Sequence, residues 1–272
     1  MQAFPAKWTP PTGVLGRIID ETSRRVDTAR ANRADLERQA RTAIAPRDFV
    51  TALRGPQVKV IAEIKRRSPS RGVINARLDP ASRARAYEAG GAAAISVLTE
   101  PTHFDGSEDD LQRVRDAVDL PILRKDFIID EAQVIEARAW GASAVLLIAR
   151  ALPPDALKSL AKCAREWGIE PLIEVRTGEE LDAAISADAR VIGVNSRDLE
   201  TLHVSAEAMD RILPRVPRTV VAVAESGIRS VDDVDRAARA GADAVLVGSS
   251  LTEAPDGTAA VRALSRVPRV AR

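Results

Sequence analysis

The sequence predicts an α/β fold, a single (β/α)8 TIM barrel with an N-terminal helical extension, and three observations lead to it. Short apolar, β-branched runs recur along the chain, each followed by a polar turn and an amphipathic helical stretch, the alternation that βαβ units produce. The chain has 272 residues, close to the barrel norm of roughly 250, with about thirty residues per unit. The Gly-rich GxGxxG fingerprint of an open dinucleotide-binding sheet is missing after the first run, which favours closure over a doubly wound sheet.

The eight runs are Val58–Lys65, Ala93–Leu98, Pro121–Lys125, Ala144–Ala149, Pro171–Val175, Val191–Asn195, Thr219–Glu225 and Ala244–Val247. Small-residue lead-ins, GGAA at 90–93, GASA at 141–144 and GADA at 241–244, let a preceding helix end and turn tightly onto the sheet. Ahead of the first run, Leu15, Ile18, Ile19, Thr22, Val26 and Ala29 recur at helical spacing, which predicts an amphipathic helix over 13–43 broken near Asn32. The division expected is residues 1–50 as this extension and 51–272 as the barrel. The helix could cover the barrel floor, close part of its mouth or pair with another subunit; packing on its own barrel is the expected choice.

Composition narrows the function classes. Forty Lys plus Arg oppose 39 Asp plus Glu, a net charge of +1 with the signs interspersed, so no nucleic-acid footprint is present. The single cysteine, Cys163, lies in the helical stretch AKCAREW and reads as a packed thiol, and neither His103 nor His203 has a metal-ligand spacing with it. No metal and no cofactor are expected. The amino terminus, MQAFPAKWTPPTG, has no basic head, apolar core or small-residue cleavage site, and no apolar run is long enough to span a bilayer. A cytoplasmic protein without a membrane partner is expected, as a monomer or weak homodimer.

The first run ends in chemistry. In an extended strand Ile61, Glu63 and Lys65 share one face, and ions enter a strand buried on both sides only when paired or used. A Glu63/Lys65 pair at a frayed strand end is the plainer account of this segment alone. The other runs weigh against it. The third ends in Lys125, the fifth in Glu174, the sixth in Asn195 and Arg197, and the seventh in Glu225. In a barrel all these ends gather on one rim, where active sites form.

Two chemistries separate on that rim. Ser226 and Gly227 follow the seventh run, and Gly248 and Ser249 the eighth; small residues there let backbone N–H groups approach a phosphate, helped by a short helix start. Lys65, Lys125, Glu63 and Glu174 form a set of acids and bases able to donate to a carbonyl or leaving hydroxyl and to accept a proton. Gly-Ser pairs are also ordinary turn composition, so it is their joint occurrence that carries the phosphate reading.

Together, IAEIKRRSPSRG at 61–72, SVLTEPTHFDGS at 96–107, LRKDFIID at 123–130, LIEVR at 172–176, GVNSRDL at 193–199, AESGI at 224–228 and LVGSSL at 246–251 resemble the indole-3-glycerol phosphate synthase family over essentially the whole chain. The resemblance implies a carboxy-lyase of tryptophan biosynthesis that closes an indole ring on 1-(2-carboxyphenylamino)-1-deoxyribulose 5-phosphate, releasing carbon dioxide and water. It implies Lys125 as general acid, Lys65 at the dehydration and facing phosphate, Glu174 as base or stabiliser of a cation, and Glu63 at the dehydration. Ser226, Gly227, Gly248 and Ser249 resemble the phosphate cradle, and Glu225 is expected among the substrate-binding residues. Asn195, Arg197, Ser68 and Ser70 resemble groups around the sugar hydroxyls and the carboxylate, and Phe104 and Phe127 would flank the aromatic ring. Arg66 and Arg67 depart from the motifs and are expected as solvated loop charges. A sugar-phosphate isomerase on the same barrel and a catalytically silent, metabolite-binding barrel are the competing readings.

Overall fold

The computed structural model describes residues 8–272, so the part of the amino-terminal reading that falls on residues 1–7 lies outside the described residues. Eight parallel strands close into a barrel: β1 (Lys59–Ile64), β2 (Ala94–Leu98), β3 (Ile122–Lys125), β4 (Ala144–Ile148), β5 (Glu170–Val175), β6 (Val191–Asn195), β7 (Val221–Glu225) and β8 (Ala244–Val247). Each pairs with its sequence neighbours, and β1 closes the ring by pairing with both β2 and β8. Helices such as Pro80–Gly90, Glu131–Trp140 and Val231–Arg239 return the chain between strands. All eight strands lie within two residues of their predicted bounds.

Their composition explains why. β2, β4, β6, β7 and β8 are buried along their whole lengths, the environment that selects continuous Val/Ile/Ala runs in a parallel sheet. The lead-ins act as expected: Gly91 and Gly141 follow two helices at φ 94° and 93°, a left-handed conformation that costs glycine least. At the helix starts, the Asp79 carboxylate accepts from the Ser82 N–H at 2.8 Å ahead of Pro80, and Ser230 and Asp233 form a reciprocal capping box. Cys163 is a buried thiol in the helix Pro154–Glu166, its pKa pushed up to about 11 by burial.

At the amino-terminal end of β8, opposite the predicted site, the Asp243 carboxylate takes the Arg269 and Arg272 guanidinium groups at 2.6 and 2.7 Å. These ion pairs tie residues 269–272 to the end of the barrel opposite the cavity.

The extension is two helices, α1 (Gly13–Ala31) and α2 (Arg33–Thr42), broken at Asn32. Between the mouth and the floor, the mouth is observed: α1 lies across the carboxyl end of the barrel, where Val14, Leu15 and Ile18 line the central cavity. The Thr12 and Val14 N–H groups bond to the Oε1 and carbonyl oxygen of Glu200 in the loop after β6. Farther along, Arg30 pairs with Asp130 at 2.7 Å, and Ala40 of α2 packs with Ala132 and Ile135. No helix among the described residues is long and apolar enough to cross a membrane.

Candidate active site

The carboxyl ends of the strands surround one cavity of about 490 Å³. All fifteen residues singled out in the sequence border it: Glu63, Lys65, Ser68, Ser70, Phe104, Lys125, Phe127, Glu174, Asn195, Arg197, Glu225, Ser226, Gly227, Gly248 and Ser249. They come from seven of the eight strands or the loops that follow them.

The ionisable groups are arranged as one pair and one triad. Lys65 Nζ lies 2.6 Å from Glu63 Oε1. Lys125 Nζ lies 2.7 Å from Glu225 Oε2 and 3.6 Å from Glu174 Oε2. Glu63, Glu174 and Glu225 are all buried, so their charges act across a medium that screens poorly. Burial works to lower the Lys125 pKa, but the carboxylates of Glu225, Glu174 and Glu63 outweigh it and raise it above the ordinary lysine value. The charged form of Lys125 is therefore favoured, which works against its forming an imine. Burial likewise works to raise Glu63, yet Lys65 and Lys125 hold it below the usual carboxylate range. Glu225 goes the other way: burial, with help from Glu174 and Glu63, pushes it up to about 7 against the pull of Lys125. The sequence reading placed Glu225 among the substrate-binding residues without a partner; its carboxyl group lies against Lys125.

Two aromatic side chains form the apolar wall. The Phe104 and Phe127 rings sit 6.1 Å apart, tilted by 40°, beside Leu98, Leu146, Ile148 and the α1 residues Leu15 and Ile18. Both loops are fixed by buried acids. Glu100 accepts from the N–H groups of Thr102, His103 and Phe104 at 3.0, 2.6 and 3.2 Å. Asp126 accepts from the Phe127 N–H at 2.8 Å and from Thr99 Oγ1 at 2.7 Å. Arg25 of α1 reaches both acids, at 3.5 and 3.9 Å. Sequence reasoning missed this network. Asp126 adjoins Lys125 in the chain, but no local pattern points from Arg25 to it.

On the opposite side, Ser226 and Gly227 both have positive φ, 63° and 82°. For serine that conformation is uncommon, and such strain tends to collect at functional turns. Asn195 Oδ1 accepts from the Arg197 N–H at 2.9 Å, while Arg197 Nη1 donates to the Leu202 carbonyl at 3.0 Å; the guanidinium is held at the cavity edge. Burial lowers the Arg197 pKa, partly offset by Glu63. Ser68 and Ser70 lie on a small hairpin, Arg67–Ser68 against Gly72–Val73, that the sequence did not reveal. Arg71 of this hairpin pairs with Glu253 at 2.9 Å.

One loop charge departs from expectation. Arg66 is not solvated: its Nη1 and Nη2 grip the two oxygens of Asp110 at 2.5 and 2.7 Å, tying the first loop to the helix Glu108–Arg115. Arg67 is exposed, as expected.

Comparison with known proteins decides the family. The family model described as indole-3-glycerol phosphate synthase matches residues 15–264. The chain belongs to the indole-3-glycerol phosphate synthase family. It is 50% identical over 252 residues to the indole-3-glycerol phosphate synthase 1 of Streptomyces coelicolor, covering 91% of this chain and 93% of that one. Identity is also 50% to the indole-3-glycerol phosphate synthase of Mycolicibacterium vanbaalenii, over 91% of this chain and 92% of the relative. Among solved structures, 3-hexulose-6-phosphate synthase from Salmonella typhimurium superposes with a TM-score of 0.60 at 17% identity, over 77% of this chain and 97% of that one. Thiamine phosphate pyrophosphorylase from Pyrococcus furiosus gives 0.57 at 20% identity, over 80% and 96%. At these identities the likeness is one of fold.

Proposed function

We propose that this member of the family closes the indole ring of 1-(2-carboxyphenylamino)-1-deoxyribulose 5-phosphate, yielding indole-3-glycerol phosphate, carbon dioxide and water, with the cavity residues in the following roles. Lys125 donates its proton to the sugar carbonyl oxygen as the ring carbon bearing the carboxylate attacks the carbonyl carbon. The new C–C bond leaves a cation delocalised onto the nitrogen, which Glu174 stabilises. Cleavage of the bond to the carboxylate releases carbon dioxide, and its electron pair restores the aromatic ring. Lys65 then protonates the hydroxyl, which leaves as water, and loss of the neighbouring carbon-bound proton with help from Glu63 completes the indole.

The substrate's phosphate is assigned to Ser226, Gly227, Gly248 and Ser249, with Arg197 and Lys65 supplying charge. Its aromatic ring is assigned to the space beside Phe104 and Phe127, and its polar groups to Asn195, Ser68 and Ser70. The observation that carries the reading is a half-buried ammonium held between Glu225 and Glu174 in the same cavity as a paired aromatic wall. An isomerase of sugar phosphates needs an acid and a base but has no use for that wall.

Residues 1–50 act in this reading as an extension of a catalytic barrel at 51–272, supported by cavity residues drawn from both. A monomer or weak homodimer in the cytoplasm belongs to the same reading, a location that suits a biosynthetic step. The test is to supply the substrate to pure, folded protein and follow indole fluorescence. A rising signal is expected, and none would overturn the reading in favour of an isomerase or a silent barrel.

A further inference from the structure

Gly193 lies in the middle of β6, in register with Glu174 on one side and Val223 on the other. Its backbone is that of an ordinary strand and has no positive φ, so no turn or left-handed conformation calls for glycine. Glycine inside a strand weakens it and often marks a close approach. Here the approaching group is Glu225. A Cβ placed on Gly193 would overlap Glu225 Oε1 and lie 3.0 Å from its Cδ, with Leu172 Cδ2 at 2.9 Å. Glu225 is only 1% exposed. Its Oε2 is committed to Lys125, and Oε1, resting over Gly193, has no hydrogen-bond partner.

The second carboxylate of the cluster repeats the arrangement. A Cβ on Gly248 would overlap Glu63 Oε1 and stand 3.0 Å from Lys65 Nζ. Both acid and lysine pairs thus lie over a glycine on a neighbouring strand or just beyond it.

We propose that Gly193 is a positioning residue: the volume left by its missing side chain seats the Glu225 carboxyl group, and through it sets where the Lys125 ammonium stands in the cavity. Any side chain at 193 drives that carboxyl group away by about an ångström or more to reach van der Waals separation. Because Glu225 is the shorter of the two carboxylate contacts to Lys125, the ammonium moves with it.

The catalytic consequence rests on the proposed function; the seating does not. Gly193→Ala, Glu225→Ala and the double variant are compared by thermal unfolding and by steady-state kinetics. Gly193→Ala is expected to lower the unfolding midpoint and to cut kcat by about a hundredfold, the scale of an ångström's misplacement at a reacting centre, with KM changed little. In the Glu225→Ala background, where no carboxyl group occupies the seat and only the Leu172 contact remains, the same substitution is expected to lower the midpoint much less and to leave the residual kcat unchanged. Equal losses in both backgrounds, failure to fold in both, or an unaltered Gly193→Ala protein would overturn the proposal. Glycine would then serve packing against Leu172, or nothing. Should the wild type show no indole synthesis, the function fails while the unfolding comparison still decides the seat.

Discussion

Lys125 Nζ stands 2.7 Å from Glu225 Oε2 and 3.6 Å from Glu174 Oε2, so the carboxylate reaching it from β7 is nearer than the one from β5. The ammonium is thereby neutralised from two sides while its proton remains available to a substrate oxygen. Replacing it by an uncharged side chain of similar length, Lys125→Met, is expected to lower kcat by about 10²- to 10⁴-fold. Binding of inorganic phosphate at the far side of the cavity should persist, since Arg197 and the Gly/Ser turns are untouched. Turnover by fluorescence and phosphate affinity by calorimetry check both halves; wild-type turnover would remove Lys125 as the acid.

The raised pKa of Glu225 links the site to stability. Its pKa moves from the ordinary 4.5 to about 7 in the folded protein, so the native state holds that proton more tightly than the unfolded chain. Its contribution is fully present below 4.5 and lost as the pH rises through about 7. Glu63, held low by the lysines, works in the opposite sense: its contribution is present above 4.5 and lost on acidification. The difference in unfolding midpoint between wild type and Glu225→Gln isolates the first effect. It should favour the wild type most at the acid end and decline until the pH passes 7; a difference independent of pH would contradict the shift.

Arg25 should act on substrate affinity rather than on chemistry. It touches Glu100 and Asp126, which hold the Phe104 and Phe127 loops, but borders no reacting group. Arg25→Ala is expected to raise KM by about threefold, on the scale of a partly exposed ion pair worth under ~1 kcal/mol, with kcat unchanged. A fall in kcat at constant KM would place α1 nearer the chemistry than this.

Arg197 should act on the phosphate. Arg197→Ala is expected to raise KM by about ten- to a hundredfold, the equivalent of ~1.5–3 kcal/mol for a charge-assisted hydrogen bond. The dependence of KM on ionic strength should weaken at the same time. Steady-state rates across a salt series check this, and an unchanged salt dependence would place the phosphate elsewhere.

Much of this site is legible in the sequence alone. Glu63 and Lys65 stood out because strand alternation puts them on one face, and Lys125, Glu174, Asn195 and Glu225 because a parallel barrel delivers every strand's end to one rim. Partnerships were not legible. Arg66 looked solvated because its partner, Asp110, lies 44 positions away. The contact of Glu225 with Lys125 was hidden because the two lie 100 positions apart. No periodicity within a segment encodes contacts of that span.

The sequence by itself determined the strands, the barrel, the family resemblance and the residues at the rim, since these follow from local apolar pattern, turn chemistry and a topological rule. Only the tertiary structure decided which acid holds which lysine, that α1 covers the mouth rather than the floor, and that Gly193 leaves room for Glu225. Each of these depends on the distance between side chains on different elements, and that distance exists only once the barrel has closed.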